Sequence, residues 1–476
     1  MTTGMDAASP QTFTPLAHRE ARLIVIAMML PVFMGSLDQT ILASALPSIG
    51  RDFGNVNDLS WLITTYLIAA TASTPLYGKL SDIYGRRFSL RIAVGCYLVG
   101  SLICALAPNM AVLILGRAFH GIGGGGLTST GMVVLGDVAS PKDRAKYYGY
   151  FAMTYTSAGA LGPALGGFLA DYLDWSAIFW INVPMALVAI FFSLAVMRRL
   201  PRHDRPHKLD LLGAALIVIS SVSFMLALTS GGVRYPWSSG EILTLFGIAV
   251  VFGALFIWRL LTAPEPLIPL SIMKDRVARC AVATNSLGWG AIVALNIYLP
   301  VYLQDVLAMT ATSAGLSLMV LMGVLNLSAG ASSPMIARHR RYKIVPMIGL
   351  ACALVAVAVL AWQAQHLGIW TFEIILLVLG LGFGPLAPLT GVALQNTVPP
   401  WQFGTAVGGM NFLRSLTATI LVAGFGAITL KGSGTVVADS AWRFQIAFGI
   451  AAASMALALV AMWLLEEKPL NTTHER

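Results

Sequence analysis

Long apolar stretches separated by short polar segments run along almost the whole sequence. Each stretch holds about 20 residues, which is the length that an α-helix needs to cross a bilayer core of roughly 30 Å. Backbone groups in lipid must be hydrogen-bonded within the protein, so helices are predicted rather than open strands. The pattern predicts fourteen membrane-spanning helices, near residues 22–47, 57–78, 88–106, 109–136, 146–170, 177–197, 209–230, 241–262, 277–304, 312–334, 344–361, 370–395, 404–429 and 442–465.

The composition agrees with an all-α integral membrane protein. Of 476 residues, 57% are hydrophobic and 11% are charged, whereas soluble domains carry about 25% charged residues. The four cysteines lie inside apolar stretches without a C-x-x-C pair, which favours helix packing over a disulfide or a zinc site. We expect no metal, no other cofactor and, because the polar N-terminal segment lacks a cleavage site, no cleaved signal peptide.

The basic residues indicate the orientation of the helices. The 30 lysines and arginines give a formal net charge of +9 and cluster between the apolar stretches. With the N-terminus inside, about 24 of them lie on the cytoplasmic side, as the positive-inside rule requires. Such clusters are topology signals, so nucleic acid is not an expected partner. The interpretation is a monomeric, multi-pass protein of the cell (inner) membrane with both termini in the cytoplasm.

The order of the helices predicts two six-helix bundles with an inserted pair, an arrangement common among transporters. The predicted segments are a cytoplasmic tail (1–21), the first bundle (22–197), a basic linker (198–208), two inserted helices (209–262), the second bundle (277–465) and a second cytoplasmic tail (466–476). A weak internal repeat supports this division. GKLSDIYGRR follows the second helix of the first bundle, and SPMIARHRR follows the second helix of the other, with Ala337 in place of the acid.

Charged residues inside the predicted helices are the first candidates for chemistry, because each costs about 2.5–3.5 kcal/mol at the centre of a membrane helix. Asp38 lies in the first helix and Arg117 in the fourth, with His120 one turn later. Either Arg117 tunes Asp38 for proton uptake and release, or the two form a fixed ion pair. His120 is a third candidate for proton coupling, because histidine changes charge near neutral pH.

Two further charges lie within helices of the second bundle. Glu373, just inside the span that begins IWTFEIILL, either reaches interfacial water or acts as a second proton-coupling group. Arg414, in MNFLRSLTATI, requires a partner or a wet cavity. The sequence does not name that partner.

The segment GKLSDIYGRR combines an acid, two glycines and paired arginines in a short loop. It is either a topology anchor or a conformational latch. A carboxylate such as Asp82 gains up to about 1 kcal/mol at a helix N-terminus, which is enough to favour one conformation and still be broken. The candidate residues are Gly78, Asp82, Gly85, Arg86 and Arg87.

The fifth predicted helix carries glycines around a proline, namely Gly149, Gly159, Gly162, Pro163, Gly166 and Gly167. Proline kinks a helix and glycine lets a neighbour approach, so this helix is a hinge or a tight seam. The other glycine-rich segment, at 121–126, lacks the Lys-Ser/Thr pair of a phosphate-binding loop. We interpret it as a helix-packing surface.

These motifs resemble those of the major facilitator superfamily, in particular its fourteen-helix drug:proton antiporter branch. GKLSDIYGRR matches the loop signature between the second and third helices, and WLITTYLIA is similar to the second helix of that branch. LDQTILASALP, LILGRAFHGIGGG and GYFAMTYTSAGALGPALGG resemble the signatures of the first, fourth and fifth helices. The sequence departs from the family pattern at Ala43, where Asn is usual, at His120, where Gln is usual, and at Ala158, where Gly is customary.

The resemblance implies two bundles around a central cavity that opens alternately to each side. It further implies proton-driven export of lipophilic or cationic small molecules, as in multidrug efflux and antibiotic resistance. It assigns Asp38 and Arg117 to proton coupling, the loop around Asp82 to a cytoplasmic gate, and the glycine and proline seam of the fifth helix to the interface between the bundles.

Other functions remain open. Nothing in the sequence argues against a dedicated metabolite exporter of the same fold, whereas Asp38 argues against a proton-independent uniporter. A non-transporting sensor or scaffold would have no large soluble domain with which to signal. An enzyme is not expected, because His18 and Glu20, like His203 and Asp204, lie in basic or terminal polar segments without a third partner.

Overall fold

The computed structural model describes residues 18–54, 58–139, 141–196, 209–232, 234–268, 270–338, 342–365, 368–429 and 437–467. The helices are α1 (His18–Phe53), α2 (Leu59–Tyr84), α3 (Arg86–Ala105), α4 (Met110–Val138), α5 (Pro141–Tyr172), α6 (Ala177–Trp180), α7 (Asn182–Val196), α8 (Leu211–Ser230), α9 (Gly240–Thr262), α10 (Leu270–Lys274), α11 (Arg276–Asp305), α12 (Ala311–Arg338), α13 (Ile344–Gln363), α14 (Ile369–Phe383), α15 (Leu386–Thr397), α16 (Phe403–Thr429) and α17 (Val437–Leu464). The all-helical fold class is confirmed. The predicted linker 198–208 and most of both tails lie outside the described residues.

Each predicted span corresponds to one helix or to two consecutive helices. The sixth span is divided at Ile181 into α6 and α7, and the twelfth is divided at Gly384 and Pro385 into α14 and α15. Proline lacks the N–H that would continue the helix, which explains the second break. Within the described ranges, eleven segments are long and apolar enough to cross a membrane; α2, α5 and the α6–α7 pair are not among them. α7 is only 15 residues long, and α5 is rich in glycine and tyrosine.

The helices pack as two groups that are separated in the sequence by α8 and α9. In the first group, α1 packs on α5, and α4 packs on both α2 and α3. In the second, α11 packs on α16 and α17, and α14 packs on α12 and α13. We call these groups the N-half (α1–α7) and the C-half (α11–α17). They meet along two lines, where α2 packs on α16 and α5 packs on α12.

The glycine-rich segment of α4 is a packing surface, as predicted. Gly121 and Gly125 lie against the backbone of α2, and Gly123 lies against the backbone of α3 at Tyr97. A Cβ at any of these positions would overlap a neighbouring main chain. Small residues therefore let three helices of the N-half approach closely.

The inserted helices cover the line where α2 meets α16. α8 packs on both of those helices, and Lys79 of α2 donates a hydrogen bond to the carbonyl oxygen of Pro266, which follows α9 (3.3 Å). Asp210 caps α8 and pairs with Arg259 of α9 at 3.0 Å, which fixes the two inserted helices to each other. In α9 the side chains of Leu243, Val250 and Trp258 are exposed. The pair therefore has one face on the bundles and an apolar outer face.

Candidate functional site

A cavity of about 1800 Å³ lies between the N-half and the C-half. Its wall comes from α1, α2, α4, α5 and α8 on one side and from α11, α12, α15 and α16 on the other. The mouth lies where α1 connects to α2 and where α8 connects to α9, at Asp58, Trp61, Arg234 and Trp237. Arg234 is half-exposed and lies 3.9 Å from the Asp58 carboxylate. The cavity is accessible from this end of the bundle.

The inserted helices form part of this wall. Met225 and Leu228 of α8, and Gly231 just after it, line the cavity beside residues of α2 and α16. The inserted pair therefore closes one side of the cavity, along the line where α2 meets α16.

The opposite end of the cavity is closed by contacts around Asp82, at the end of α2. Its carboxylate accepts hydrogen bonds from the backbone N–H groups of Gly404 (2.9 Å) and Thr405 (2.7 Å) and from the Thr405 hydroxyl (2.7 Å). These donors lie in the first turn of α16, so the carboxylate also benefits from the helix dipole. The structure thus places the Asp82 carboxylate at a helix N-terminus, one of the positions that the sequence left open for it.

Arg86 extends these contacts across the same end. Its guanidinium donates to Asp82, to both oxygens of Asp137 in α4 (2.6 and 3.2 Å) and to the carbonyl oxygen of Pro400 (3.2 Å). Gly85, between α2 and α3, has a φ of +87°, which only glycine adopts without strain. We call the contacts of Asp82 and Arg86 with residues 400–405 the latch.

Backbone packing reinforces the latch. Gly78 of α2 and Gly404 of α16 lie so close that a Cβ on either would overlap the carbonyl oxygen of the other. Gln395 of α15 also reaches across the halves and donates to the carbonyl oxygen of Met132 at 3.1 Å. Arg87 follows Arg86 at the start of α3 and is partly buried.

Asp38 and Arg117 form an ion pair in the interior of the N-half. The Nη1 atom of Arg117 lies 2.9 and 2.8 Å from the two carboxylate oxygens, and each residue is only 1% exposed. Nε of the same guanidinium donates to the carbonyl oxygen of Leu62 at 3.0 Å, and the Tyr66 ring lies 4.4 Å from its central carbon. The sequence-based pairing of Asp38 with Arg117 agrees with this geometry.

His120 lies against the same ion pair. Its Nδ1 atom is 3.0 Å from Arg117 Nη1 and 3.4 Å from Asp38 Oδ1. A guanidinium only donates, so the shorter contact is a hydrogen bond when Nδ1 carries no proton. The ring proton then lies on Nε2, for which the described part of the chain supplies no acceptor. Asp38, Arg117 and His120 form one buried cluster, called the charge cluster below.

The charge cluster adjoins the cavity without lining it. Gln39 and Thr40, which follow Asp38 in α1, line the cavity, and so does Tyr66. The Tyr66 ring lies over Arg117, and its hydroxyl donates to the carbonyl oxygen of Gly35 at 3.4 Å. Tyr66 is therefore part of the layer that separates the cavity from the ion pair.

Arg414 of α16 lines the cavity directly. Its guanidinium lies over the ring of Trp289 at 5.0 Å, and its Nε atom is buried without a hydrogen-bond partner. Among the described residues no carboxylate pairs with it; the titratable groups that face it are the phenols of Tyr148 and Tyr155. The sequence required either a charged partner or a wet cavity for this arginine, and in the structure Arg414 faces the cavity.

A model of the Major Facilitator Superfamily matches residues 28–422 of the chain. The chain belongs to the major facilitator superfamily. It is 31% identical over 417 residues to Multidrug resistance protein 3 of Bacillus subtilis (strain 168), covering 87% of this chain and 81% of that protein. It is 29% identical over 449 residues to Multidrug transporter protein MdtP of the same organism, covering 92% of this chain and 81% of that one.

The major facilitator fold is also found in the structural comparison. The proton:xylose symporter XylE bound to 6-bromo-6-deoxy-D-glucose superposes with a TM-score of 0.68, covering 96% of this chain and 98% of that one. At 15% sequence identity this likeness shows the fold alone. The family and the apolar helices indicate a multi-pass membrane protein, and the family points to a transporter rather than an enzyme.

The structure does not bring Glu373 to the charge cluster. Glu373 lies near the start of α14, where its carboxylate accepts a hydrogen bond from the hydroxyl of Ser317 in α12. It is half-buried and does not line the cavity. The geometry therefore offers no support for a second proton-coupling site at Glu373, because the residue belongs to a contact between two helices of the C-half.

The predicted seam on α5 is a contact within the N-half. Gly162 and Gly166 lie against α1, and the Thr40 hydroxyl donates to the carbonyl oxygen of Ala158 at 3.1 Å. The resemblance placed this seam at the interface between the bundles; α5 does pack on α12 of the C-half, but Gly162 and Gly166 lie on its α1 side. The other members are dispersed: Gly159 and Pro163 line the cavity, Gly167 has open space beside it, and Gly149 is buried.

Three functional neighbours were not identified from the sequence. Asp137, Tyr66 and Trp289 contact Arg86, Arg117 and Arg414 respectively. Tyr66 lies in WLITTYLIA, so a local signal existed, but aromatic residues are common in membrane helices. The pairing of Asp137 with Arg86 joins residues 51 positions apart, which helical periodicity does not reveal.

Proposed function

We propose that the protein is a proton-coupled antiporter that exports lipophilic small molecules by alternating access. The observation that carries this proposal is the charge cluster, in which a carboxylate is buried beside the cavity and separated from it by Tyr66. An embedded carboxylate of this kind marks proton relays in membrane transporters. The names of the relatives, which include multidrug resistance protein and multidrug transporter, support export of drug-like compounds.

The cavity and the latch support alternating access. One end of the cavity is open and the other is closed by hydrogen bonds that can be exchanged for water. If the N-terminus is cytoplasmic, as the positive-inside distribution favours, the open mouth faces outward and the latch lies on the cytoplasmic side. The structure then corresponds to an outward-open state of a monomeric exporter in the cell membrane.

Protonation of Asp38 supplies the coupling step in this proposal. A neutral Asp38 no longer compensates Arg117, and an uncompensated buried charge costs about 3–5 kcal/mol. The cluster must then rearrange, and rearrangement of α1 and α4 relative to each other is the expected route to a change in access. His120 provides a second position for the proton within contact distance.

The cavity favours broad specificity over a dedicated metabolite exporter. Its volume of about 1800 Å³ exceeds the range of roughly 300–1,000 Å³ that is usual for small-molecule pockets. Its lining is largely aliphatic and aromatic, with scattered hydroxyl and amide groups. Such a wall fits many drug-sized compounds without the close complementarity that one metabolite requires.

The test uses purified protein in liposomes with an entrapped pH dye and a panel of lipophilic compounds that are neutral, cationic or anionic. Wild type is expected to show proton flux with several compounds. Asp38→Asn is expected to bind them without proton flux. The matched control is Asp52→Asn on the same helix, where the carboxylate accepts a hydrogen bond from Trp175 Nε1 at 2.8 Å.

Two further outcomes decide between the alternatives. Equal proton flux in wild type and Asp38→Asn would refute the role of Asp38. Flux with a single compound would favour a dedicated exporter. Because Asp38→Asn leaves Arg117 uncompensated, we also use the double variant Asp38→Asn/Arg117→Gln, which removes both charges and is expected to fold.

A further inference from the structure

The charges that line the cavity sum to one positive charge. Only Asp58, Arg234 and Arg414 carry formal charges among the described lining residues, and the first two lie together at the mouth. Asp38 is excluded from the lining and is compensated by Arg117. A ligand in the deep part of the cavity therefore faces one cation and no described carboxylate.

The floor of the cavity also holds buried polar atoms without partners. Hydrogen-bond partners within the described part of the chain are lacking for Tyr148 Oη, Asn285 Oδ1, Asn411 Oδ1 and Arg414 Nε, and all four residues line the cavity. The two asparagines and Tyr148 are each at least 94% buried. Unsatisfied buried polar groups are rare, and each one costs about 1–3 kcal/mol. These four groups, from α5 of the N-half and from α11 and α16 of the C-half, meet at the floor of one cavity, which indicates a ligand site.

The donors and acceptors in this set define the ligand. Arg414 and the Tyr148 hydroxyl donate, so they fit an anionic group. The amide oxygens of Asn285 and Asn411 accept, so they fit a hydroxyl or N–H donor on the same ligand. The Trp289 ring, 6.0 Å from that of Phe383, provides an aromatic surface next to the guanidinium.

We infer that the cavity selects amphipathic aromatic anions that carry an additional hydroxyl or N–H donor. This inference deepens the proposed function, on which it rests for the transport of such ligands. It revises the expectation of cationic substrates, because a cation at this floor would meet Arg414 without a carboxylate to offset it. Like charges in contact cost several kcal/mol in binding.

A structural role for Arg414 explains less of the geometry. An arginine that served packing would be expected to donate to a carboxylate or to backbone carbonyls, as Arg117 and Arg144 do. Arg414 makes no such contact with the described residues. Its neighbours Asn411 and Tyr148 also leave polar atoms unsatisfied.

The test compares two probes with the same aromatic body and opposite charge, 6-hydroxynaphthalene-2-sulfonate and (6-hydroxynaphthalen-2-yl)trimethylammonium. Binding to purified protein in lipid nanodiscs is measured by equilibrium dialysis. We expect wild type to bind the sulfonate about tenfold more tightly than the ammonium probe. Arg414→Gln is expected to lower the sulfonate affinity about tenfold and to leave the ammonium affinity unchanged or raised.

Three control measurements separate charge recognition from general damage. Arg234→Gln removes a cavity cation at the mouth and is expected to change either affinity by less than about threefold, because that charge is exposed. Arg414→Lys keeps the charge and is expected to retain most of the sulfonate binding. Asn411→Leu is expected to weaken binding of 6-hydroxynaphthalene-2-sulfonate, whose hydroxyl donates to the amide oxygen. Naphthalene-2-sulfonate lacks that hydroxyl, so its affinity should not change in the same variant.

The inference is overturned if wild type binds the ammonium probe as tightly as the sulfonate, or if Arg414→Gln leaves the sulfonate affinity within twofold. If Arg414→Gln misfolds, it will bind neither probe. Arg414→Lys then provides the test, because it keeps the charge and should retain most of the sulfonate binding. Sulfonate binding through Arg414 without proton flux would support the inference and count against the antiport proposal. Proton flux with cations alone would support the antiport proposal and count against the inference of anionic ligands.

Discussion

The two arginines within the membrane-spanning helices differ in what surrounds their charge. Arg117 in the N-half is 1% exposed, contacts both oxygens of Asp38 and donates to the backbone of α2. Arg414 in the C-half lies on the cavity wall over Trp289, with no described carboxylate beside it. A compensated charge is held within its own half, whereas an uncompensated charge next to a cavity is available to a ligand.

This difference also separates two tasks. Tyr66 separates the charge cluster from the cavity. In the proposed mechanism, a substrate therefore does not compete with the proton for Asp38 by direct contact. The polar floor around Arg414, which we propose as the ligand site, has no described carboxylate that could take up a proton. Coupling between the two sites must then pass through the conformation of the helices.

The largest expected effect tests this comparison through stability. Arg117→Gln leaves Asp38 buried without its cation, so we expect the free energy of unfolding to fall by about 3–5 kcal/mol. Arg414→Gln removes an uncompensated charge and a cation–π contact, so its effect should stay within about 1 kcal/mol. Denaturant unfolding in detergent micelles measures both.

The double variant Asp38→Asn/Arg117→Gln provides the control for that measurement. We expect it to be more stable than the sum of the two single changes predicts, because residues in one ion pair are not additive. Equal losses for Arg117→Gln and Arg414→Gln would remove the distinction between the two arginines.

The second prediction concerns the membrane potential. Export of one monovalent anion for one entering proton moves two charges, so 100 mV contributes about 4.6 kcal/mol, against about 2.3 kcal/mol for a neutral compound. The limiting gradient of the anion should therefore be roughly 50-fold steeper. Proteoliposomes with a potassium diffusion potential can compare 6-hydroxynaphthalene-2-sulfonate with its neutral sulfonamide. Equal responses of the two compounds would contradict an anionic substrate.

The smallest expected effect concerns the latch, where the Asp82 carboxylate of the N-half accepts hydrogen bonds from the C-half. Asp82→Asn weakens the bonds to Gly404 and Thr405 in the first turn of α16, at a cost of about 1–2 kcal/mol. We expect the population that is open on the latch side to rise roughly tenfold. Spin labels at the exposed positions Tyr84 and Leu464 would report this as a longer distance.

Asp210→Asn is the matched control for the latch. Asp210 also lies at a helix N-terminus, but its partners, the N–H of Gly213 and the side chain of Arg259, belong to the inserted pair. Its substitution should leave the label distances unchanged. A similar shift in both variants would mean that Asp82 has no special part in holding the halves together.

Much of the fold was predictable from local patterns. The apolar stretches of about 20 residues located the helices, and the cost of burying charge singled out Asp38, Arg117 and Arg414. The acid, the glycines and the paired arginines of residues 78–87 indicated a latch on one side of the molecule. Local patterns did not place two residues: Glu373 contacts Ser317 between α12 and α14, and Gly162 packs on α1. Helix rotation decides which face a residue presents, and the sequence pattern does not specify it.

The sequence by itself determined the class of protein, the approximate spans and the identity of the embedded charges, since each follows from a local free energy of transfer. Only the tertiary structure decided which charges are compensated and which end of the cavity is closed. Arg117 meets Asp38 across 79 positions, and Asp82 meets Thr405 across 323. Contacts at such separations depend on the packing of whole helices, and the same packing leaves Arg414 facing the cavity.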